Sequence, residues 1–234
     1  GWTGDAQVFV KTAALNYRVT AFFEKWLTDL RLDQSKEFGV SDVVPHIFID
    51  QMPENVHNRP RFENSFRQSS AWGDAATICP WEIYRAFGDV RILENQFDSM
   101  CDWVEYIRAQ GEDEFLWNTG RHYGDWLGLD AAEGSYVGRT AKDYIATVFY
   151  AHSAHLTAKA ARVLGRTAEA EKYEALYHGI KKAFQREFVT PNGRLTEDTQ
   201  TGYVLALYFD MVDNKERAIN RLAQLVEEND NKLT

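Results

Sequence analysis

Apolar residues recur along most of the chain at spacings of three and four, the pattern of helices that bury one stripe. Such runs extend from Asp5 to about Asn16 and from about Thr20 to Gln34, where Phe22, Phe23, Trp26, Leu27 and Leu30 share a face. The pair predicts a helical hairpin. A second pair, Asp74 to Phe87 and Asp89 to Gln110, is split by Gly88, suited to a left-handed helix end, and restarted by Asp89 as an N-cap. Pro80 lies inside the first of these helices and is expected to bend it. A third pair, Thr140 to Leu164 and Thr167 to Phe188, breaks at Gly165 ahead of a capping Thr167. A fourth runs from Asp198 to Asp210 and from Asp213 to Glu228, with Asp213 and Glu216 at capping-box spacing. Two longer irregular stretches intervene, Ser35 to Ser70 and Gly111 to Arg139, and "VSDVVPHIFID" in the former has the composition of a short strand.

The turns leading into the first helix of each hairpin are alike: "GWTGDA", "AWGDAA", "YGDWLG" and "EDTQTG". Three of the four set a Trp and an Asp beside a Gly. The hairpins recur roughly every 60 to 70 residues, a repeat of architecture rather than of strict sequence. Packed side by side in a ring, alternate helices point the same way and gather these turns on one face. That face would carry Trp2, Asp5, Trp72, Asp74, Asp125 and Trp126. The predicted fold is therefore all-α, a toroid of αα-hairpins in a single domain spanning residues 1–234.

Composition narrows the chemistry. The chain has 234 residues, 44% hydrophobic and 26% charged, with a formal charge of −9, which repels phosphate backbones and anionic lipid surfaces. Nucleic acid is not an expected partner. No apolar run has the length of a membrane span. Cys79 and Cys101 have no metal-ligand spacing and read as buried free thiols, so the compartment stays open. The aromatic share is 14%, with seven Trp. In an acidic chain with Trp in Gly/Asp turns, this suits flat, hydroxylated ligands whose C–H patches pack on ring faces while carboxylates take the hydroxyls. Carbohydrate is the expected ligand class.

Each candidate has a plainer reading. Asp5 and Asp74 precede helical runs, and capping is the favoured role for both. Trp2 and Trp72 have flanking glycines that leave room for ligand, whereas Trp26, Trp81 and Trp103 fall within helical stripes and are expected in the core. A loop histidine such as His122 is most often neither proton shuttle nor ligand contact. His152 and His155 form an HxxH pair without an acidic partner at helical spacing, which favours a packed helix face over a metal site. GxSxG, P-loop and GxGxxG motifs are absent, so acyl transfer and nucleotide binding have no support. Glycoside cleavage needs two carboxyls flanking the bond, and the residues alone do not select a pair. From residues alone, another carbohydrate-active toroid (hydrolase or epimerase) and a non-catalytic helical scaffold binding a partner remain open.

The segments "GWTGDAQVFVKTAALNY", "SSAWGDAATICPWEIYRAFGD", "LWNTGRHYGDWL" and "EDTQTGYVLALYFDMV", in this order, resemble the catalytic domain of family 78 glycoside hydrolases, the bacterial-type α-L-rhamnosidases. The resemblance covers essentially the whole chain. It implies an (α/α)6 barrel, inverting hydrolysis of terminal α-L-rhamnose without a cofactor or covalent intermediate, and rhamnose contact by Trp2, Asp5, Trp72 and Trp126. Asp74 and Asp125 lie in the same motifs and are expected to shape the pocket. It further implies that the general-acid Glu falls before residue 1 and the general-base Glu after "NDNKLT", and that the eight predicted helices fall short of a closed barrel. The chain is thus expected to be part of a longer rhamnosidase, inactive alone, with apolar faces at its open ends. Relatives usually place Phe-Gln-Phe before Gly-Asp-Trp. Here "RHY" stands there, which leaves the leaving-group specificity open.

Overall fold

The computed structural model describes residues 1–37, 39–47 and 68–234. These residues form eight α-helices: α1 (Thr3–Asn16), α2 (Thr20–Asp33), α3 (Ala75–Phe87), α4 (Arg91–Arg108), α5 (Lys142–Val163), α6 (Thr167–Phe188), α7 (Gln200–Tyr208) and α8 (Lys215–Glu228). Hydrophobic periodicity had placed all eight. The odd-numbered helices follow one another in space, α1 on α3, α3 on α5 and α5 on α7, while α4 packs on both α3 and α5, α6 on α5, and α8 on α7. The helices thus form an arc in which α2 packs on α3 and α4 rather than folding back on α1.

Helix α5 lies at the centre of the arc, and its sequence explains why. Ala146, Ala151, Ala154, Ala158, Ala160 and Ala161 are all buried, with Thr147, Ser153 and Thr157 between them. A helix buried on nearly all sides needs small residues so that its neighbours can approach closely. Helix α4, in contrast, buries one stripe, Leu93, Phe97, Met100, Trp103, Val104 and Ile107, and turns charged residues outward. Trp103 stacks edge-on to Trp117 at 5.7 Å and lies so close to Gly73 that a Cβ there would stand 2.3 Å from the indole.

The helix ends differ from the expectations in detail. Helix α1 begins at Thr3, so Asp5 lies in its first turn rather than at its cap, and neither Asp5 nor Asp74 caps through its side chain. Asn214, not Asp213, caps α8 by accepting the Arg217 amide at 3.1 Å. Thr167 is the first helical residue of α6 and Arg166 occupies the cap position, without a side-chain bond. Asp89 does accept the Arg91 amide at 3.0 Å, one residue ahead of the cap position at Val90. Gly88 and Gly165 take the left-handed conformation foreseen for them. Pro80 is accommodated within α3 without ending it. The strand expected in "VSDVVPHIFID" reduces, among the described residues, to an isolated antiparallel bridge between Val43 and Trp2; residues 48–50 lie outside them. Cys79 and Cys101 are free thiols on α3 and α4, and no helix among the described residues is long and apolar enough to cross a membrane.

Candidate sugar-binding cleft

The turns at the leading ends of α1, α3, α5 and α7 converge, and each is fixed by the next. The Trp2 end of α1 is pinned to the 40s loop: the Thr3 amide donates to the Asp42 carbonyl at 2.9 Å and the Val44 amide to the Gly1 carbonyl at 2.9 Å. Trp2 itself remains 40% exposed. Trp72 lies in a turn closed by Gly73 N–H to Ser69 O at 2.9 Å. The turn requires Ala71 at φ 64°, a conformation costly for a residue with a Cβ, and the Asp74 carboxylate offsets this by accepting the Ala71 amide at 2.8 Å. The Gln7 side-chain amide donates to the Ala71 carbonyl, tying α1 to the same turn. The Trp72 indole lies directly over Gly4, where a Cβ would stand 2.7 Å from the ring. The two glycines of "GWTGD" therefore differ: Gly4 makes room for Trp72.

The third turn is stitched to the second. The Ser70 amide donates to His122 Nδ1 at 3.0 Å, and His122 Nε2 bonds to the Thr119 carbonyl at 2.9 Å, so the proton belongs on Nε2. Burial holds His122 neutral, lowering its pKa to about 4. The Tyr123 amide donates to Ser69 Oγ at 3.1 Å. The Tyr123 ring then stands among the three indoles, 4.4 Å from Trp72, 5.7 Å from Trp126 and 6.3 Å from Trp2. Its hydroxyl is hydrogen-bonded to Asp42, and burial together with that carboxylate raises its pKa. Asp125 follows. Its carbonyl accepts the Gly138 amide at 2.7 Å, its Oδ2 accepts the Thr201 hydroxyl of α7 at 2.7 Å, and a Cβ at Gly138 would stand 2.8 Å from Oδ2.

The result is a cleft of about 1030 Å³ lined by Trp2, Asp5, Trp72, Asp125, Trp126 and Thr201, with Phe9, Phe22 and Trp26 on its apolar flank. Five of the six residues expected there line it together. Asp74 does not. It is fully buried behind Trp72, where its Oδ1 accepts from Trp103 Nε1 at 3.0 Å and from Ser153 Oγ at 2.6 Å, and burial raises its pKa against these donors. Asp5 is exposed and makes no hydrogen bond or ion pair with the described residues. Two contributors escaped the sequence reading. Tyr123 opens the "YGDWLG" turn but stands beside the Asp and Trp that carried the expectation, and Thr201 belongs to the one turn lacking a Trp, so neither had a signal of its own. His152 stacks on Phe209 at 4.2 Å and His155 on Tyr177 at 4.6 Å; among the described residues no third ligand joins them to form a metal site.

Three indoles and two carboxylates thus share one cleft at the leading ends of an arc of helices. The comparisons are specific. The bacterial α-L-rhamnosidase 6 hairpin glycosidase domain matches residues 1–234, and the chain belongs to this family. An α-L-rhamnosidase of Formosa agariphila is 41% identical over 237 residues, covering 100% of this chain and 24% of that protein. One from Streptomyces avermitilis is 35% identical over 232 residues, covering 98% of this chain and 20% of its own length. The crystal structure of S. avermitilis α-L-rhamnosidase complexed with L-rhamnose superposes with a TM-score of 0.83 at 36% identity, over 98% of this chain and 20% of that one. The native α-L-rhamnosidase of Aspergillus terreus gives 0.87 at 30% identity, over 100% and 26%. The chain thus spans about a fifth to a quarter of the length of these relatives.

Proposed function

We propose that residues 1–234 form the sugar-recognition wall of an α-L-rhamnosidase that releases terminal α-L-rhamnose from rhamnosides. The observation that carries this reading is the convergence of Trp2, Trp72 and Trp126 on one cleft with Asp5 and Asp125. A deoxyhexose presents a methyl group and axial C–H bonds to one side and hydroxyls to the other. Indole faces take the first, releasing water from apolar surface, and carboxylates take the second through charge-assisted hydrogen bonds. Asp5, exposed and without a hydrogen bond or ion pair among the described residues, accepts from sugar hydroxyls in this reading; Asp125, one oxygen already held by Thr201, offers the other. Asp74 acts from behind by setting the turn that carries Trp72.

In this reading the hydrolysis is a single displacement. One carboxylic acid protonates the departing oxygen while a carboxylate on the far side activates water, and the anomeric configuration inverts. Both carboxyls are supplied from outside residues 1–234. The test is turnover of an aryl α-L-rhamnoside by the full-length protein and by residues 1–234, with proton NMR of the first sugar released. Release of the β-anomer by the full-length protein, and none by the shorter one, is expected. Turnover by residues 1–234 overturns the outside placement of the acid and base, and initial release of the α-anomer overturns inversion.

A further inference from the structure

Of the residues that line the cleft, two carry a buried polar atom with no hydrogen bond among the described residues: Oε1 of Gln7, an acceptor, and the Nε1–H of Trp72, a donor. Both lie against one face of α1. The indole nitrogen stands over Gly4, 2.8 Å from where a Cβ would be, and Gln7 follows one helical turn further along. Gln7 is 7% exposed, and its amide cannot turn over, because Nε2 donates to the Ala71 carbonyl and an oxygen in its place would meet another oxygen. The amide thus grips the backbone beside Trp72 while its own oxygen stays unmatched. The indole behind the same turn is satisfied, Trp103 Nε1 donating to Asp74 Oδ1 at 3.0 Å. Polar atoms buried without a partner are uncommon and costly, and a donor and an acceptor left open on one helix face mark an arrangement that a further event completes.

The backbone of the turn is held by Asp74 and by Gln7, whereas the Trp72 ring is half-buried, so the ring rather than the turn is the part able to adjust. We propose that Gln7 is a positioning residue of the sugar wall: when the ring settles on the sugar, the Trp72 indole N–H donates to Gln7 Oε1, and the two unmatched atoms of the free cleft become one hydrogen bond in the complex. Gln7 touches no sugar itself. It ties part of the sugar affinity to the seating of Trp72. This inference rests on the rhamnoside reading above and deepens it by naming how the wall answers its ligand.

In the experiment the full-length protein, isotopically labelled at the tryptophan nitrogens, is titrated with L-rhamnose and followed by NMR. The Trp72 indole resonance is assigned by its absence from Trp72→Phe. On saturation its N–H proton is expected to move downfield and to exchange with solvent more slowly, the signature of a new hydrogen bond. In Gln7→Met, close in volume and without an acceptor oxygen, both changes disappear and L-rhamnose binds roughly tenfold more weakly. The rate on an aryl α-L-rhamnoside then falls through KM, with kcat little changed. Gln7→Glu keeps an oxygen at the same reach and is expected to keep the shift. An unmoved Trp72 resonance in the saturated wild type, a measurement that needs no variant to fold, overturns the proposal and leaves the rhamnoside reading standing; so does the same shift in Gln7→Met. A wild type that neither binds L-rhamnose nor cleaves the aryl rhamnoside overturns both.

Discussion

Thr201, in the first turn of α7, donates its hydroxyl to Oδ2 of Asp125 at 2.7 Å across 76 residues of sequence. The bond joins the third and fourth hairpins at the cleft and occupies one of the two Asp125 carboxylate oxygens. Thr201→Val keeps the shape and removes the donor. It is expected to cost about 1 kcal/mol of stability. It is also expected to raise KM for an aryl rhamnoside in the full-length protein more than it lowers kcat, because in the proposed reading Asp125 binds sugar without taking part in bond cleavage. Steady-state kinetics alongside urea denaturation separate the two effects.

Trp126 and Trp103 provide a contrast between recognition and folding. Trp126 is 45% exposed and Trp103 fully buried. Trp126→Ala is expected to change stability by about 1 kcal/mol or less. Its expected cost in L-rhamnose affinity is about tenfold, as one apolar contact of the order of 1.4 kcal/mol is lost. Trp103→Ala should cost about 3 to 5 kcal/mol, since it empties the core and leaves Asp74 without its indole donor. Intrinsic fluorescence titration with L-rhamnose and thermal denaturation report the two outcomes.

Gly4 is where an added methyl group meets the sugar wall. The Cβ of Gly4→Ala would stand 2.7 Å from the Trp72 ring, which must shift toward the cleft. Overpacking of this kind costs about 1 to 3 kcal/mol. Near-UV circular dichroism should change with the displaced indole and L-rhamnose affinity should fall; an unchanged spectrum with normal affinity would contradict the packing described.

His122 gives stability a pH dependence of definite sign. Burial lowers its folded pKa from 6.5 to about 4, and a proton on Nδ1 would displace the bond that the Ser70 amide donates there. Its contribution is therefore complete above pH 6.5 and lost as pH falls toward 4, when the unfolded chain takes up a proton that the folded one refuses. The expected loss is at most roughly 3 kcal/mol. His152, lowered to about 3 by burial, contributes in the same direction. The difference between wild type and His122→Asn in urea denaturation at pH 7 and pH 4.5 isolates the His122 part.

Asp74 shows why its role could not be read in one dimension. "AWGD" and "YGDW" are nearly the same string, yet Asp125 lines the cleft and Asp74 is buried with Trp103 and Ser153. The partners come from α4 and α5, and no local pattern announces them. Asp74→Ala leaves three donors without an acceptor and is expected to cost about 3 kcal/mol or more, with Asp74→Asn recovering part of it.

The sequence alone determined what depends on near neighbours: eight helices, their Gly and polar breaks, the hairpin repeat, and the gathering of Trp and Asp in the turns. Helical periodicity is a local property, and a chain with one apolar stripe per helix has few ways to bury all of them. Tertiary structure alone decided which of two matching aspartates faces solvent, that Tyr123 stands among the three indoles, and that Thr201 orients Asp125. Each of these depends on contacts between residues far apart in sequence, 79 positions for Ser153 and Asp74 and 76 for Thr201 and Asp125, where the packing of rigid helices, not the preference of any short segment, sets the distance.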